Sequence, residues 1–275
     1  MKYFAISDTH GHHSEAIKAL QEAGWDENNA NHKLVVVGDI TDRGEEALTH
    51  IEWLKRLTDE GKAVVCKGNH DQFILGFFKN RDQSFNWMHN GLNKTIDDLD
   101  HRTGSFETYC AMTDKPMTTG TFAEWQRITA KSIQKEYPWM KEWFENLPNY
   151  YETENYIFTH GIVDWRVDDW HNSQMQKYNC QQGWMSNHWA SPEDFLKFRN
   201  YTGKKLVVGH LNASLMRYTL EFKGRGDYDY YTYYPENEIY FNEDINTYFI
   251  DTMTVATKRV NVLVIDDEPL KEARD

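Results

Sequence analysis

Three times within the first 80 residues, a short apolar run ends abruptly in a polar cluster and gives way to a helical pattern. Lys2-Tyr3-Phe4-Ala5-Ile6-Ser7 runs into Asp8-Thr9-His10-Gly11, Leu34-Val35-Val36-Val37 into Gly38-Asp39-Ile40-Thr41-Asp42-Arg43-Gly44, and Ala63-Val64-Val65-Cys66-Lys67 into Gly68-Asn69-His70-Asp71. Helices are expected behind them over 14–23, with Ser14 as N-cap, over 45–57, with Leu48, Ile51, Leu54 and Leu57 on one stripe, and over 72–79. Repeated strand-helix units predict a largely parallel sheet flanked by helices, whose ligands bind beyond the carboxyl ends of the strands. All three polar clusters fall at those ends.

Each cluster taken singly also has a plainer account. Asp8 fits a helix N-cap, and a His or Asn after a strand is commonly a turn residue. Their repeated placement favours a ligand site, because two carboxylates and an arginine at the end of one strand need partners that packing does not supply. Two later strands end the same way, Tyr156-Ile157-Phe158-Thr159-His160-Gly161 and Leu206-Val207-Val208-Gly209-His210. With Asp8, His10, Asp39 and Asn69, residues His160 and His210 complete a hard-to-borderline ligand set for two divalent ions.

Composition limits what such a site can belong to. With 275 residues, 40% hydrophobic and 15% aromatic, the chain can bury a sizeable core as one domain or a domain with an insertion. A net charge of -13 argues against an extensive nucleic-acid surface. No run reaches the roughly 18 apolar residues that span a bilayer. A cleavable signal peptide is not expected, since its removal would delete Asp8 and His10. Cys66, Cys110 and Cys180 are widely spaced, which fits a reducing cytoplasm.

Residues 80–150 break the rhythm. They carry Trp87, Trp125, Trp139 and Trp143 and a helix expected over 122–146, kinked at Pro138. The expectation is a helical insertion with its own small core, its tryptophans packing or, alternatively, forming a lid. His12 and His13 are expected in a solvated loop. The tyrosine-rich stretch 227–234 reads as a hairpin at a sheet edge, and 259–265 as a last strand before an acidic tail.

Taken together, the five motifs resemble those of the calcineurin-like metallophosphoesterases: Asp8-Thr9-His10-Gly11, Gly38-Asp39 with Asp42-Arg43-Gly44, Gly68-Asn69-His70-Asp71, Thr159-His160-Gly161 and Gly209-His210. The resemblance covers residues 1–80 and about 155–265, where Tyr248-Phe249-Ile250-Asp251-Thr252 looks like the family's late strand. It implies an α/β fold, a sandwich of two packed mixed sheets flanked by helices, with 80–150 inserted. Asp42-Arg43-Gly44, and Asn212 where nuclease-like members carry a second histidine, look like the phosphoprotein phosphatase branch with its bacterial and phage enzymes. Asp71 stands where protein phosphatases usually have Glu, and an Asp at this position is common in the dinucleotide hydrolases. Those hydrolases typically have Ala in place of Asp42.

The resemblance implies that Asp8, His10 and Asp39 hold one ion and that Asp39, Asn69, His160 and His210 hold the other. Manganese, iron or zinc would suit these ligands. His70 would be the general acid, Asp42 its orienting partner and Arg43 a phosphate clamp, with Arg166 or Arg217 as candidates for a second phosphate-binding arginine. The implied activity is phosphomonoester hydrolysis, phosphoserine and phosphothreonine proteins included, by in-line attack of a hydroxide bridging the ions. Symmetrical dinucleoside tetraphosphate hydrolysis is the alternative, and a non-catalytic scaffold the alternative of another class. The expected partner is a phosphorylated protein or small molecule, without a membrane.

Overall fold

The computed structural model describes residues 1–174, 176–177, 181–222 and 237–270; Cys180 and the stretch 227–234 lie outside the described residues. One sheet has the order β11-β1-β2-β3, with β1 (Lys2–Ile6), β2 (His32–Val37) and β3 (Ala63–Cys66) parallel and β11 (Leu263–Asp266) antiparallel on β1. A second sheet has the order β4-β5-β8-β10-β9, built from β4 (Tyr150–Glu152), β5 (Tyr156–Thr159), β8 (Lys205–Val208), β9 (Tyr240–Asn242) and β10 (Thr247–Phe249). Here β5, β8 and β10 are parallel and the edge strands antiparallel. A small ribbon pairs β6 (Gln176–Lys177) with β7 (Gln181–Gln182).

Burial on both faces explains why the central strands read as unbroken apolar runs. In β1 and β2, Phe4, Ile6, Leu34 and Val36 face the helices, while Tyr3, Ala5, Val35 and Val37 meet Phe158 and Val207 of the facing sheet. That interleaving joins the two sheets into one sandwich. Helices α1 (His13–Glu22), α2 (Ala47–Asp59) and α3 (Asn69–Phe78) cover the first sheet. On the second sheet, α9 (Trp184–Asn187), α10 (Pro192–Lys197) and α11 (Ala213–Phe222) follow β5 and β8.

Between β3 and β4 the chain forms α4 (Ser84–Asn90), α5 (Leu92–Leu99), α6 (Phe106–Thr113), α7 (Thr119–Glu136) and α8 (Met140–Asn146). The single helix expected over 122–146 is two. Thr118 caps α7 by accepting from Thr121 N, and the chain leaves the helix at Tyr137, ahead of Pro138, as the residue before a proline is driven to do. Nor is the core of 80–150 its own. Trp125, fully buried, packs against Trp87 at 4.6 Å and against Phe77 of α3 at 5.7 Å between ring centroids, in a cluster continuous with Phe4 and Leu34. Among the described residues, no helix is long and apolar enough to cross a membrane.

Candidate metal centre

Residues at the carboxyl ends of β1, β2, β3, β8 and β10 line a cavity of about 190 Å³, among them Asp8, His10, Asp39, Asn69, His70 and His210, with Arg43 at its side, while His160, at the end of β5, lies behind it against Asp39. Backbone geometry there is unusual. Asp8 (φ 52°), His10 (46°), Asp39 (54°), Asp42 (74°), Arg43 (67°) and His210 (67°) all lie in the left-handed region. For residues with a Cβ this costs roughly 1–2 kcal/mol each and persists only where neighbours hold it. Asn69 and His70 differ, for they sit in the first turn of α3 rather than in the loop expected before it.

Hydrogen bonds fix which ring nitrogens face the cavity. His10 Nδ1 is 2.8 Å from Thr41 O and His160 Nδ1 is 2.9 Å from Val37 O; both donate, which turns each Nε2 inward. His160 Nε2 stands 2.8 Å from Asn69 Oδ1 and 3.3 Å from Asp39 Oδ1. With a cation in place of the Nε2 proton, His160 Nε2, Asn69 Oδ1 and Asp39 Oδ1 would be three electron-pair donors facing it. On the other side, Arg43 Nη1 donates to His10 Nε2 at 3.1 Å and Nη2 to His70 Nε2 at 2.9 Å, so a guanidinium lies across two imidazole lone pairs. His10, Asp39 and His70 form one cluster whose donor atoms lie within 4.8 Å of one another, and Asp39, His160 and His210 form a second. Asp39 belongs to both.

The electrostatics ask for positive charge. Burial opposes ionisation of Asp39, but His160 and His70 outweigh it and hold the carboxyl well below its ordinary range. The same pairing, against burial, holds His160 up at about 10. Asp8 is driven well above the usual carboxylate range by burial and by Asp251, and Asp251 up to about 6 by burial and by Asp39. Three buried carboxylates around one cavity are costly until cations neutralise them. The donor set of carboxylate, imidazole and amide oxygen suits divalent manganese, iron or zinc.

Not every expected residue joins a cluster. Asp8 lines the cavity, yet its carboxylate accepts from His210 N at 3.0 Å, and His70 accompanies His10 and Asp39 instead. Arg166 is held by Asp164 at 2.9 Å, and Arg217, on α11, pairs with Glu221 at 3.1 Å; neither lines the cavity. His12 is buried rather than solvated, its Nδ1 near the carbonyls of Thr9 and His10 and its Nε2 2.7 Å from Lys258 Nζ. Four participants were not among the expected site residues. Asp251 sits just beyond β10, Asn90 and Trp189 line the cavity, and Thr95 bonds Asp42 from α5. Only Asp251, at a strand end like the others, could have been suspected.

Two ligand clusters sharing one aspartate, at the joined strand ends of a two-sheet sandwich, are the architecture of a metal-dependent phosphoesterase. The chain belongs to the calcineurin-like phosphoesterase family, whose model matches residues 1–250. Among curated proteins it is 34% identical over 104 residues to a bis(5'-nucleosyl)-tetraphosphatase PrpE [asymmetrical] of Geobacillus sp. (strain WCH70), an overlap of 36% of this chain and 41% of that protein. It is 36% identical over 103 residues to the protein of the same name from Bacillus mycoides (strain KBAB4), covering 35% and 41%. The chain thus spans about two fifths of the length of these relatives. Among solved structures, a protein serine/threonine phosphatase from Saccharomyces cerevisiae superposes with a TM-score of 0.53 at 14% identity, over 100% of this chain and 82% of that one, a likeness of fold.

Proposed function

We propose that this chain is a dinuclear metal phosphatase acting on phosphomonoesters, phosphoserine and phosphothreonine in proteins among them. The observation that carries the reading is the His70–Asp42 pair standing beside the Asp39 clusters. His70 Nδ1 donates to Asp42 Oδ2 at 2.7 Å, both residues are buried, and the Nε2 edge of the ring faces the cavity. Divalent ions bound by Asp8, His10 and Asp39, and by Asp39, Asn69, His160 and His210, supply activated water and neutralise phosphate charge. Asp39 serves both groups because its two oxygens offer several lone pairs.

The remaining roles belong to the chain. Asp42 holds Nδ1–H and favours the imidazolium, so that once the Arg43 fork turns to the phosphate, a proton taken up from water on His70 Nε2 is delivered to the leaving oxygen as its bond to phosphorus breaks. Arg43 lies against both His10 and His70, and its planar fork grips two non-bridging oxygens when a phosphoryl group enters. Trp189 and Asn90 form walls beyond the reacting centre. Residues 80–150 supply Asn90 and act as a helical insertion bordering the site.

A second reading, dinucleoside tetraphosphate hydrolysis, is favoured by the two relatives of that name. Hydrolysis of a phosphoserine peptide, a phosphotyrosine peptide, diadenosine tetraphosphate and bis-p-nitrophenyl phosphate by manganese-loaded protein, side by side, separates the two. A phosphopeptide preference supports the monoesterase, and a dinucleotide preference supports the second reading. Silence on all four with metals bound leaves the scaffold. In the same assay Asp39→Ala is expected to lose turnover and metal content together, as read by elemental analysis. Full metal retention in that variant would overturn the shared-ligand assignment.

A further inference from the structure

Asp42 and Arg43 are consecutive, carry side chains, and both lie at positive φ, so something outside their own loop must hold them. The neighbours come from the helices that follow α3. Thr95 on α5, fully buried, accepts from Asp42 N at 2.7 Å and turns its own hydroxyl hydrogen toward Asp42 Oδ1 at 3.3 Å. The carbonyl of Gly91, between α4 and α5, accepts from Arg43 N at 3.1 Å. Asp98 of the same helix accepts from Leu48 N at 2.7 Å, which ties the start of α2 to it. Helix α5 and the Gly91 that precedes it therefore hold the backbone of the dipeptide at both amides, and Thr95 one oxygen of the Asp42 carboxylate, while the other oxygen faces His70 at 2.7 Å.

We propose that Thr95 is a positioning residue for proton delivery: by fixing the Asp42 carboxylate from behind, its hydroxyl holds the His70 ring at the angle the leaving oxygen needs. The proposal rests on the phosphatase reading for its kinetic consequence, and on geometry alone for its effect on His70. It also gives the 80–150 segment a role in the chemistry distinct from that of a lid. A single hydroxyl serves here because it can accept from the amide and donate to the carboxylate at once.

The test compares Thr95→Val, which keeps the shape and removes the hydroxyl, with Thr95→Ser, which keeps it. Two readouts are taken on metal-loaded protein. The first is kcat on phenyl phosphate, a poor leaving group, against p-nitrophenyl phosphate, which scarcely needs a proton. Thr95→Val is expected to slow phenyl phosphate about tenfold or more, a part of what general acid catalysis supplies, and p-nitrophenyl phosphate about threefold at most. Thr95→Ser is expected to restore both.

The second readout needs no turnover. The imidazole Nδ1 proton of His70, assigned by its absence in His70→Asn, is expected as a slowly exchanging low-field proton resonance in wild type and Thr95→Ser, and to be lost or broadened in Thr95→Val. Equal slowing of both esters, or an unchanged resonance in Thr95→Val, overturns the proposal. Metal-loaded wild-type protein that turns over no ester, with the resonance behaving as expected, overturns the phosphatase reading and leaves the positioning of His70 by Thr95 standing.

Discussion

The site is assembled in two contrasting ways. Asn69 and His70 project from the first turn of a regular helix, while Asp8, His10, Asp39, Asp42, Arg43 and His210 project from strand ends in left-handed backbone. The helical pair needs little help, since the start of α3 is held by ordinary helical hydrogen bonds and His70 N donates to Asp39 Oδ1 at 2.9 Å, an anion at a helix N-terminus. The strand-end residues are fastened from elsewhere: Thr9, between Asp8 and His10, by His50; Asp39 and Ile40 by Asp71; Asp42 by Thr95; and His210 by Asp8. The difference teaches that the candidate ligands are brought together by strand order, while their backbone angles are held by hydrogen bonds from Asp71, Thr95, His50 and Asp8, some of them made directly to a candidate ligand's own amide.

The largest test of that contrast is Asp71. Its buried carboxylate accepts from Gly68 N at 2.8 Å, Asp39 N at 3.0 Å and Ile40 N at 3.1 Å, so it links the strained loop to the relaxed helix. Asp71→Ala leaves three buried amides without acceptors, at roughly 1–3 kcal/mol each before relaxation. The expected outcome is a loss of about 3 kcal/mol or more in urea unfolding of metal-free protein, with weaker metal retention than wild type. Unchanged stability would mean that Asp39 holds its conformation without a fastener, and the contrast drawn above would collapse.

The same contrast explains what could be read from the sequence. The three early motifs were legible because strand, cluster and helix recur with the same rhythm, and His160 and His210 because each ends an apolar run followed or preceded by glycine. The parallel direction of β1, β2 and β3 followed from the strand-helix units. Thr95 was not legible, because on α5 it lies on the same buried face as Leu92, Ile96 and Leu99, and nothing local marks a hydroxyl whose partner is 53 residues away. His50 and Asp71 fail for the same reason, being bonded across 41 and 32 residues. Arg166 and Arg217 erred in the opposite sense: proximity in sequence to His160 and His210 suggested a shared site, but each finds a carboxylate within four residues of itself. The break at Pro138 was legible as a disturbance, and its outcome, two helices, follows from local sterics.

A smaller effect is expected at Gly91, whose carbonyl holds Arg43 N. It has φ 81°, and a Cβ there would meet Arg43 Cγ at 2.9 Å and Arg43 N at 3.0 Å, whereas Gly61, at φ 70°, has open space around the same position. Gly61→Ala carries only the left-handed backbone cost, about 1 kcal/mol. Gly91→Ala adds a collision with the backbone of Arg43, which cannot swing aside. The expected loss is about 2 kcal/mol in the same unfolding measurement, with a raised KM for phosphomonoesters because the arginine fork is displaced. Equal losses for the two variants, with KM unmoved, would show that Arg43 keeps its place without α5.

The smallest and most selective test is His50, the fastener of Thr9. It is fully buried, its Nε2 is 2.8 Å from Thr9 Oγ1 and its Nδ1 is 3.3 Å from His13 Nδ1. Burial, aided by His13 and His12, lowers its pKa from 6.5 to about 3, so the folded protein keeps it neutral where the unfolded chain protonates it. Between those values the unfolded state binds the extra proton, and stability falls as pH drops, by about 1.4 kcal/mol on reaching pH ~5.5 from this group alone. His50→Gln retains a hydrogen-bonding side chain that does not titrate. Its unfolding free energy, followed from pH ~7 to ~5, should fall less steeply than that of wild type by the share of one proton, whatever its absolute value. Parallel curves would mean that His50 accepts a proton in place, and that Thr9, with Asp8 and His10 on either side, is held by something other than a neutral imidazole.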